Sequence, residues 1–300
     1  MNTRISQQHL ESYLWGAATL LRGTIDAGDY KQFIFPLLFF KRISDVYDEE
    51  FAEALEESGG DVDFASFAEN HRFQIPGAAH WRDVREKPEN LGQALQNAMR
   101  AIEMANPDTL YGIFGDTNWS NKERLPDRLL RDLIEHFSKV PLGKRNVEPD
   151  MAGNAYEYLI KRFADLTRTK AGEFYTPRSV VRMMVNILDP QEGETVYDPA
   201  CGTGGMLIEV VHHVRAAGGD LRSLYGKLYG QEKNLTTSGI ARMNLILHGV
   251  EDFKHIKCGE QGVEVGWHAA SLVGVALATP DFDAQPEDPS ATVVNSESIV

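Results

Sequence analysis

The most informative residues of this chain form a glycine-rich run, Tyr-Asp-Pro-Ala-Cys-Gly-Thr-Gly-Gly-Met, from Tyr197 to Met206. A short β-branched segment leads into it, and apolar residues at helical spacing follow it. The order strand, turn, helix brings backbone N–H groups close to a nucleotide-like ligand. Leu207 stands where a dinucleotide fingerprint has its third glycine, and no Lys-Ser or Lys-Thr pair follows, which excludes a phosphate loop. A turn of this kind without any ligand is the alternative interpretation.

A second acidic residue follows the next expected strand. Residues 227–231 read Lys-Leu-Tyr-Gly-Gln and predict a strand that ends at Glu232. A carboxylate at the end of such a strand can accept hydrogen bonds from both ribose hydroxyls of a bound nucleoside. A solvated loop acid is the alternative interpretation of this residue, but the preceding glycine turn favours ribose binding.

An acid at a strand end, then Pro and a Gly-x-Gly-Gly turn, resembles the first motif of S-adenosylmethionine-dependent methyltransferases. The resemblance implies that the turn passes under the methionine part of the cofactor, where a side chain would collide with it. We interpret Cys201 as a small residue beside the ligand and not as a nucleophile, because no histidine lies near it in sequence. The resemblance assigns cofactor binding to all residues of the turn: Asp198, Pro199, Ala200, Cys201, Gly202, Thr203, Gly204 and Gly205.

The composition is that of a globular protein with one large or two ordinary domains. The chain has 300 residues, of which 42% are apolar, and a net charge of −14, which is unlike an autonomous nucleic-acid-binding protein. Only two cysteines occur, so we expect no disulfide framework and a cytoplasmic location. The longest apolar run, residues 33–40, is short and contains a proline, so we expect no membrane-spanning segment.

The spacing of apolar residues predicts a helical N-terminal domain over residues 1–140. The stretch from Tyr30 to Tyr47 is apolar nearly all round, which indicates a helix that is buried on several sides. Residues 141–150 contain two prolines, a glycine and charged residues, and they are the predicted linker. We expect residues 151–258 to form an α/β region, with helices near 180–188 and 236–247 and a third strand at 256–258, and residues 259–300 to form an atypical acidic tail.

Three stretches, in this order, resemble the methylation (modification) subunit of type I restriction–modification systems. The first runs from Gly28 to Asp45, and the second, Gly-Glu-Phe-Tyr-Thr-Pro-Arg, covers residues 172–178. The third combines the glycine turn with Tyr-Gly-Gln-Glu at residues 229–232. The implied fold class is α/β, with an N-terminal helical bundle and a partial Rossmann-like methyltransferase domain, of which residues 151–258 are the N-terminal half.

This resemblance implies methyl transfer from S-adenosylmethionine to the 6-amino group of an adenine in DNA, which must be flipped out of the duplex. The implied partners are a DNA specificity subunit, a second methylation subunit and a motor-nuclease restriction subunit, with double-stranded DNA bound through the complex. No metal is implied. Beyond the glycine turn, the resemblance assigns cofactor contacts to Glu173, Phe174, Tyr175, Thr176, Pro177, Arg178 and Glu232.

The catalytic motif of the family has no full counterpart in this sequence. Family members end a fourth strand with Asn-Pro-Pro-Phe or Asn-Pro-Pro-Tyr, whose Asn accepts hydrogen bonds from the adenine amine and whose ring stacks on the base. This chain contains no Pro-Pro pair, and its nearest match is Thr-Pro-Asp-Phe from Thr279 to Phe282, after an apolar run at the position of a fourth strand. Thr279 and Phe282 are therefore weak catalytic candidates, because a Thr hydroxyl is a shorter acceptor than an Asn carbonyl.

The composition changes after Lys257, the last basic residue, because residues 258–300 contain seven acids and no Lys or Arg. We interpret this change as a truncated or frame-shifted reading that leaves out the remaining strands of a seven-stranded sheet. Two hypotheses follow: a methylation subunit that is active once assembled, and a non-catalytic remnant that binds only cofactor or partners. A methyltransferase that acts on a protein or small molecule is a more distant alternative, against which the N-terminal helical domain argues.

Overall fold

The computed structural model describes residues 5–167, 176–250, 256–258 and 276–278. The chain divides into two compact units, Met1–Ala171 and Gly172–Val300, and each unit is described here by itself. Within the described residues, the first unit is helical, and the second combines four strands with three α-helices. This arrangement confirms the expected fold class, an N-terminal helical bundle followed by an α/β unit.

The helices of the first unit follow from the spacing of its apolar residues. In the fifth helix, for example, residues at 91, 95, 98 or 99, and 102 are buried, and this recurrence every three or four residues places them on one face. The first helix begins after Ser6, whose hydroxyl accepts a hydrogen bond from the N–H of His9, as is typical of an N-cap. The α-helices described in this unit are α1 (Gln7–Leu21), α2 (Lys31–Glu57), α3 (Val62–Ala65), α4 (Trp81–Arg85), α5 (Leu91–Ala105), α6 (Asp127–Phe137) and α7 (Pro149–Thr167).

Helix α2 forms the core of the first unit, as its apolar sequence predicted. Every residue of the stretch 33–44 is buried, so neighbouring elements cover this part of the helix on all sides. Phe35 contacts Tyr156 of α7, with the ring centroids 4.4 Å apart. No helix in the described parts of the chain, α2 included, is long and apolar enough to cross a membrane.

The segment that was expected to be a linker, residues 141–150, is packed against α2. The buried guanidinium of Arg42 donates hydrogen bonds to the carbonyl oxygens of Leu142 and Val147, the latter at 2.8 Å. Burial lowers the pKa of Arg42 to about 10, so the group is still charged at neutral pH. Helix α7 follows this segment and belongs to the first compact unit, Met1–Ala171.

The second unit is built around a sheet with the strand order β3-β2-β1-β4. Its strands are β1 (Thr195–Asp198), β2 (Leu228–Glu232), β3 (Ile256–Cys258) and β4 (Ala276–Ala278), and its α-helices are α8 (Arg178–Leu188), α9 (Gly205–Ala216) and α10 (Leu235–Leu247). Helices α9 and α10 connect β1 to β2 and β2 to β3, and these three strands are parallel, as helical crossovers require. The three predicted strands and the helices predicted near residues 180–188 and 236–247 are confirmed.

Strand β4 lies where a fourth strand was expected in the sequence, but it runs antiparallel to β1. Thr195 lies opposite Ala278, and Tyr197 lies opposite Ala276. The last residue of β4 is therefore beside the beginning of β1, whereas Asp198 ends β1 at the other edge of the sheet. Open α/β sheets bind ligands outside the carboxyl ends of their parallel strands, and β4 does not end at that edge.

We predict that Arg42→Met lowers the free energy of unfolding by about 3 kcal/mol, because two buried carbonyl groups lose a charged donor. Arg145 provides the control, since its ion pair with Glu53 is exposed. Arg145→Met should change the same free energy by less than about 1 kcal/mol. Urea denaturation followed by circular dichroism measures both values. Equal effects of the two substitutions would contradict the role assigned to Arg42.

Candidate functional site

The glycine turn, residues 198–205, leads from the end of β1 into the start of α9. Gly202 and Gly204 have φ angles of +52° and +81°, which residues with a side chain rarely adopt. Gly204 is the N-cap of α9, and its N–H donates to the carbonyl of Cys201 at 2.7 Å. The chain therefore turns within a few residues and brings the unpaired N–H groups of the first helical turn to the end of the sheet.

One face of the glycine turn is open and the other is packed. A side chain at Gly202 or Gly205 would meet no atom of the described residues within 4 Å. A side chain at Gly204 would lie against α10, 3.5 Å from the Cβ of Ala241. The open face lies at a helix N-terminus, where the backbone dipoles favour an anionic group of a ligand.

Two carboxylates lie at the ends of β1 and β2. Because the strands are parallel and Asp198 is opposite Gly230, Asp198 and Glu232 are at the same edge of the sheet. Asp198 is only 1% exposed, and its Oδ1 accepts from the N–H of Ala200 at 3.1 Å. Glu232 is half-buried; its Oε1 accepts from the N–H of Asn234 at 2.7 Å, and its Oε2 has no partner among the described residues. Asp198 thus stabilises the turn, while Glu232 has an oxygen that can accept from a ligand.

Cys201 holds the glycine turn against β2. Its N–H donates to the carbonyl of Gln231 at 2.9 Å. Its Sγ would be 2.9 Å from a Cβ added at Gly230, so this position has room only for glycine. Burial raises the pKa of the Cys201 thiol well above its ordinary value, and the charges of Asp198 and Glu232 raise it further. A buried, protonated thiol is a poor nucleophile.

The segment before α8 is described only in part. Pro177 is the N-cap of α8, and Arg178, with an exposed side chain, is its first residue. Helix α8 contacts α9 through an ion pair in which Nε of Arg182 lies 3.1 Å from Oε1 of Glu209. Thr176 precedes the helix and is half-buried. Five predicted site residues lie outside the described residues: Glu173, Phe174, Tyr175, Thr279 and Phe282.

One buried residue at this site, Asn244 of α10, was not predicted from the sequence. Its side chain is fully buried, and its Nδ2 donates to the carbonyl of Thr203 in the glycine turn at 3.1 Å. The sequence did contain a signal, because Asn244 is an amide inside the apolar run 243–247 and buried polar groups need partners. Its partner could not be identified from spacing, since 41 residues separate the two.

Two protein-family models match consecutive parts of the chain. The model of the HsdM N-terminal domain matches residues 10–137, and the model of N-6 DNA Methylase matches residues 147–294. The chain belongs to the type I methylation-subunit family. This is a family of adenine-specific DNA methyltransferases, and its match continues beyond Lys257 into the acidic tail. The resemblance seen in the three sequence stretches is thereby confirmed.

Several relatives are named as type I methylation subunits. The chain is 32% identical to the type I restriction enzyme EcoEI methylase subunit of Escherichia coli, over 84% of this chain and 51% of the relative. It is also 32% identical to the MjaVIII methylase subunit of Methanocaldococcus jannaschii, over 82% of this chain and 42% of the relative. The chain therefore spans about half the length of the curated relatives it matches.

A solved structure of the same family has a similar fold. The type I restriction-modification system methyltransferase subunit from Streptococcus thermophilus is 27% identical to this chain and superimposes with a TM-score of 0.70. The similarity covers 87% of this chain and 60% of that chain. A helical N-terminal region followed by an α/β unit is thus an architecture that this chain shares with a solved relative.

We expect Cys201 of the folded chain to react slowly with iodoacetamide at neutral pH, because alkylation requires an exposed thiolate. Mass spectrometry of the peptide that contains Cys201 measures the labelled fraction over time. The same chain in urea is the control, because unfolding exposes the thiol and returns its pKa to the ordinary range. Labelling should then be faster by about tenfold or more. Equal rates in the folded and unfolded chain would contradict the burial of this thiol.

Proposed function

We propose that this chain is the S-adenosylmethionine-binding part of a type I methylation subunit, and that its methyl acceptor is the 6-amino group of adenine in DNA. The observation that carries the proposal is the open face of the glycine turn, with positive φ at Gly202 and Gly204, at the same sheet edge as the carboxylate of Glu232. Membership in the methylation-subunit family supports the choice of acceptor.

The residues present fit this cofactor, which supplies the methyl group when it is bound. The missing side chains at Gly202 and Gly205 leave space for its methionine part, and the N-terminal N–H groups of α9 favour a carboxylate. Glu232 accepts hydrogen bonds from the ribose hydroxyls. The predicted contacts of residues 173–178 are part of this proposal, because that segment carries one of the three family resemblances.

A second candidate function is that of a non-catalytic module that binds cofactor or partner subunits. The sequence favours it, because the stretch from Thr279 to Phe282 offers neither the amide carbonyl nor the rigid Pro-Pro pair that would position an adenine. The sheet also favours it. Strand β4 ends at Ala278 beside the beginning of β1, away from the edge that carries Asp198 and Glu232.

We propose that the chain acts within a complex that contains a specificity subunit, a second methylation subunit and a motor-nuclease restriction subunit. The net charge of −14 supports a complex in which partner subunits make most of the DNA contacts, because contacts with DNA phosphates require basic groups that those subunits can supply. The predicted limits of the helical domain, 1–140, the linker, 141–150, and the methyltransferase half, 151–258, belong to the same proposal, as does a cytoplasmic location.

The change of composition after Lys257 supports the proposal of a shifted or truncated reading frame, whereas the match of the N-6 DNA Methylase model to residues 147–294 argues against a shift that begins there. Residues 259–300 would then not contribute the catalytic strand that family members have at this point. Translation of the encoding DNA downstream of codon 257 in all three frames tests this. An Asn-Pro-Pro-Phe sequence in another frame would support the shift, and its absence from all three frames would contradict it.

We predict that Gly205→Ala weakens the binding of S-adenosylmethionine by about tenfold or more, or about 1.4 kcal/mol. The added Cβ projects into the space that the ligand needs, and no backbone strain results, since Gly205 does not have a positive φ. Gly77→Ala is the matched control, because Gly77 is exposed, has open space around it and lacks a positive φ. Isothermal titration calorimetry measures both affinities.

The same titration with Glu232→Gln tests the ribose contact. The Oε1 of the new amide can still accept from Asn234, whereas its Nε2 cannot accept from a hydroxyl group. We expect a loss of about 1–3 kcal/mol in binding free energy. Wild-type affinity in both Gly205→Ala and Glu232→Gln would show that the cofactor does not bind at this edge of the sheet.

We predict that this chain, combined with a cognate specificity subunit, methylates DNA more slowly than a full-length relative by several orders of magnitude. Catalysis requires that the adenine amine be held and aligned with the methyl donor, and the nearest match to the acceptor motif lacks the groups for both tasks. Incorporation of labelled methyl groups into DNA measures the rate, with the full-length relative as positive control. A rate within about tenfold of the relative would establish that the stretch from Thr279 to Phe282 works and would eliminate the second candidate function.

A further inference from the structure

The side chain of Asn244 makes a hydrogen bond that neither the family resemblance nor the proposed cofactor contacts include. Asn244 is 0% exposed, and its Nδ2 donates to the carbonyl of Thr203 at 3.1 Å. Its Oδ1 is also buried and has no hydrogen-bond partner among the described residues. A buried amide with one unpaired oxygen destabilises a fold relative to an apolar residue of the same shape, so a role in fold stability alone does not account for it.

Helix α10 supports the glycine turn with one face. Ala241 and Asn244 are three residues apart on α10 and therefore lie on the same side of the helix. Ala241 lies under Gly204, where its Cβ would be 3.5 Å from an added side chain, and Asn244 reaches the neighbouring carbonyl of Thr203. The two side chains thus contact two consecutive residues of the turn, one by packing and the other by a hydrogen bond.

The peptide unit between Thr203 and Gly204 is held at both ends. Its carbonyl accepts from Asn244, and its N–H donates to the carbonyl of Cys201 at 2.7 Å. Gly204 has a φ of +81°, and glycine adopts positive and negative φ about equally well. A peptide unit next to a glycine can therefore rotate at little steric cost unless hydrogen bonds prevent it. Such a rotation would move the carbonyl oxygen of Thr203 away from α10.

We propose that Asn244 is a positioning residue that locks the peptide unit between Thr203 and Gly204, so that the carbonyl oxygen of Thr203 faces α10 and not the open face of the turn. This inference rests on the proposed binding of S-adenosylmethionine. A carbonyl oxygen on the open face would carry partial negative charge towards the carboxylate of the methionine part and would repel it. With the carbonyl held by α10, the open face keeps its preference for an anion.

The hydrogen bond from Asn244 to Thr203 therefore affects the binding of only one part of the ligand, the amino-acid part. The nucleoside part is assigned to Glu232 at the end of β2, which Asn244 does not contact. Loss of this hydrogen bond should lower the affinity for ligands that carry the amino-acid part and leave the affinity for ligands without it nearly unchanged. Damage to the fold as a whole would instead lower the affinity for both kinds of ligand.

The experiment compares S-adenosylhomocysteine, which has the amino-acid part, with methylthioadenosine, which lacks it. Affinities for both are measured by calorimetry in wild type, Asn244→Leu and Asn244→Ala. Ser238→Ala is the control, because Ser238 is a buried polar residue of the same helix whose side chain makes no hydrogen bond to the turn within the described part of the chain. We expect both Asn244 variants to lose about tenfold or more in affinity for S-adenosylhomocysteine, the size of one hydrogen bond, and less than about twofold for methylthioadenosine. Ser238→Ala should change neither value.

Equal losses for the two ligands, or no loss for either, would overturn the proposal. If the wild-type chain binds neither ligand, the proposed cofactor site itself is wrong. If the wild-type chain and the Asn244 variants bind both ligands equally well, the site is right and only the role of Asn244 is wrong. Hydrogen exchange in the ligand-free wild type adds a measurement that does not depend on the variants being folded. The amide of Gly204 should be protected before ligand is added, and an unprotected amide would contradict a preformed lock.

Discussion

The hydrogen bond from the N–H of Cys201 to the carbonyl of Gln231 brings the glycine turn onto the end of β2, and the edge of the second unit that we propose binds the cofactor depends on it. The contact requires glycine at position 230, because Sγ of Cys201 and Cδ1 of Ile256 occupy the space where a side chain would lie. Once the turn and β2 are held together, the start of α9 and the carboxylate of Glu232 are fixed at one edge of the sheet. The close contact between Cys201 and β2 thus positions both the backbone N–H donors at the start of α9 and the carboxylate of Glu232.

Helix α10 couples these two groups from the other side. Its N-cap, Asn234, accepts from the N–H of Thr237 at 2.9 Å and donates its own N–H to Glu232 at 2.7 Å. The carboxylate is therefore oriented by the first turn of α10, and the middle of the same helix supports the glycine turn through Ala241 and Asn244. A shift of α10 would move the acceptor and the donors together. The loss of one side chain of α10, such as that of Asn244, instead leaves the helix in place and removes only its own contact with the turn.

The sequence predicted the features of this protein that arise from local constraints. Gly202, Gly204 and Gly205 indicated a tight turn before a helix. Runs of β-branched and apolar residues indicated three strands, and a stretch that is apolar nearly all round indicated the buried helix α2. The features it did not predict join residues that are far apart along the chain. Arg42 reaches a carbonyl 100 residues later, which places the expected linker against α2, and the direction of β4 depends on its pairing with β1. Neither spacing nor residue type encodes such partners, because many side chains could have made these contacts.

Cofactor binding and methyl transfer, the two parts of the proposed function, place different demands on the sheet. Binding needs the ends of β1 and β2 and the face of α10, all of which lie between residues 195 and 247 and are held by contacts among themselves. Transfer also needs an acceptor group for adenine at the same edge, on a strand that ends there. Strand β4 is hydrogen-bonded to β1 in the opposite direction, so its carboxyl end is separated from that edge by the length of β1. Among the described residues, the turn and Glu232 are held by hydrogen bonds with β2 and α10, whereas β4 pairs with β1 at residues 195–197, before the turn. The proposed cofactor binding is therefore separable from methyl transfer in this chain.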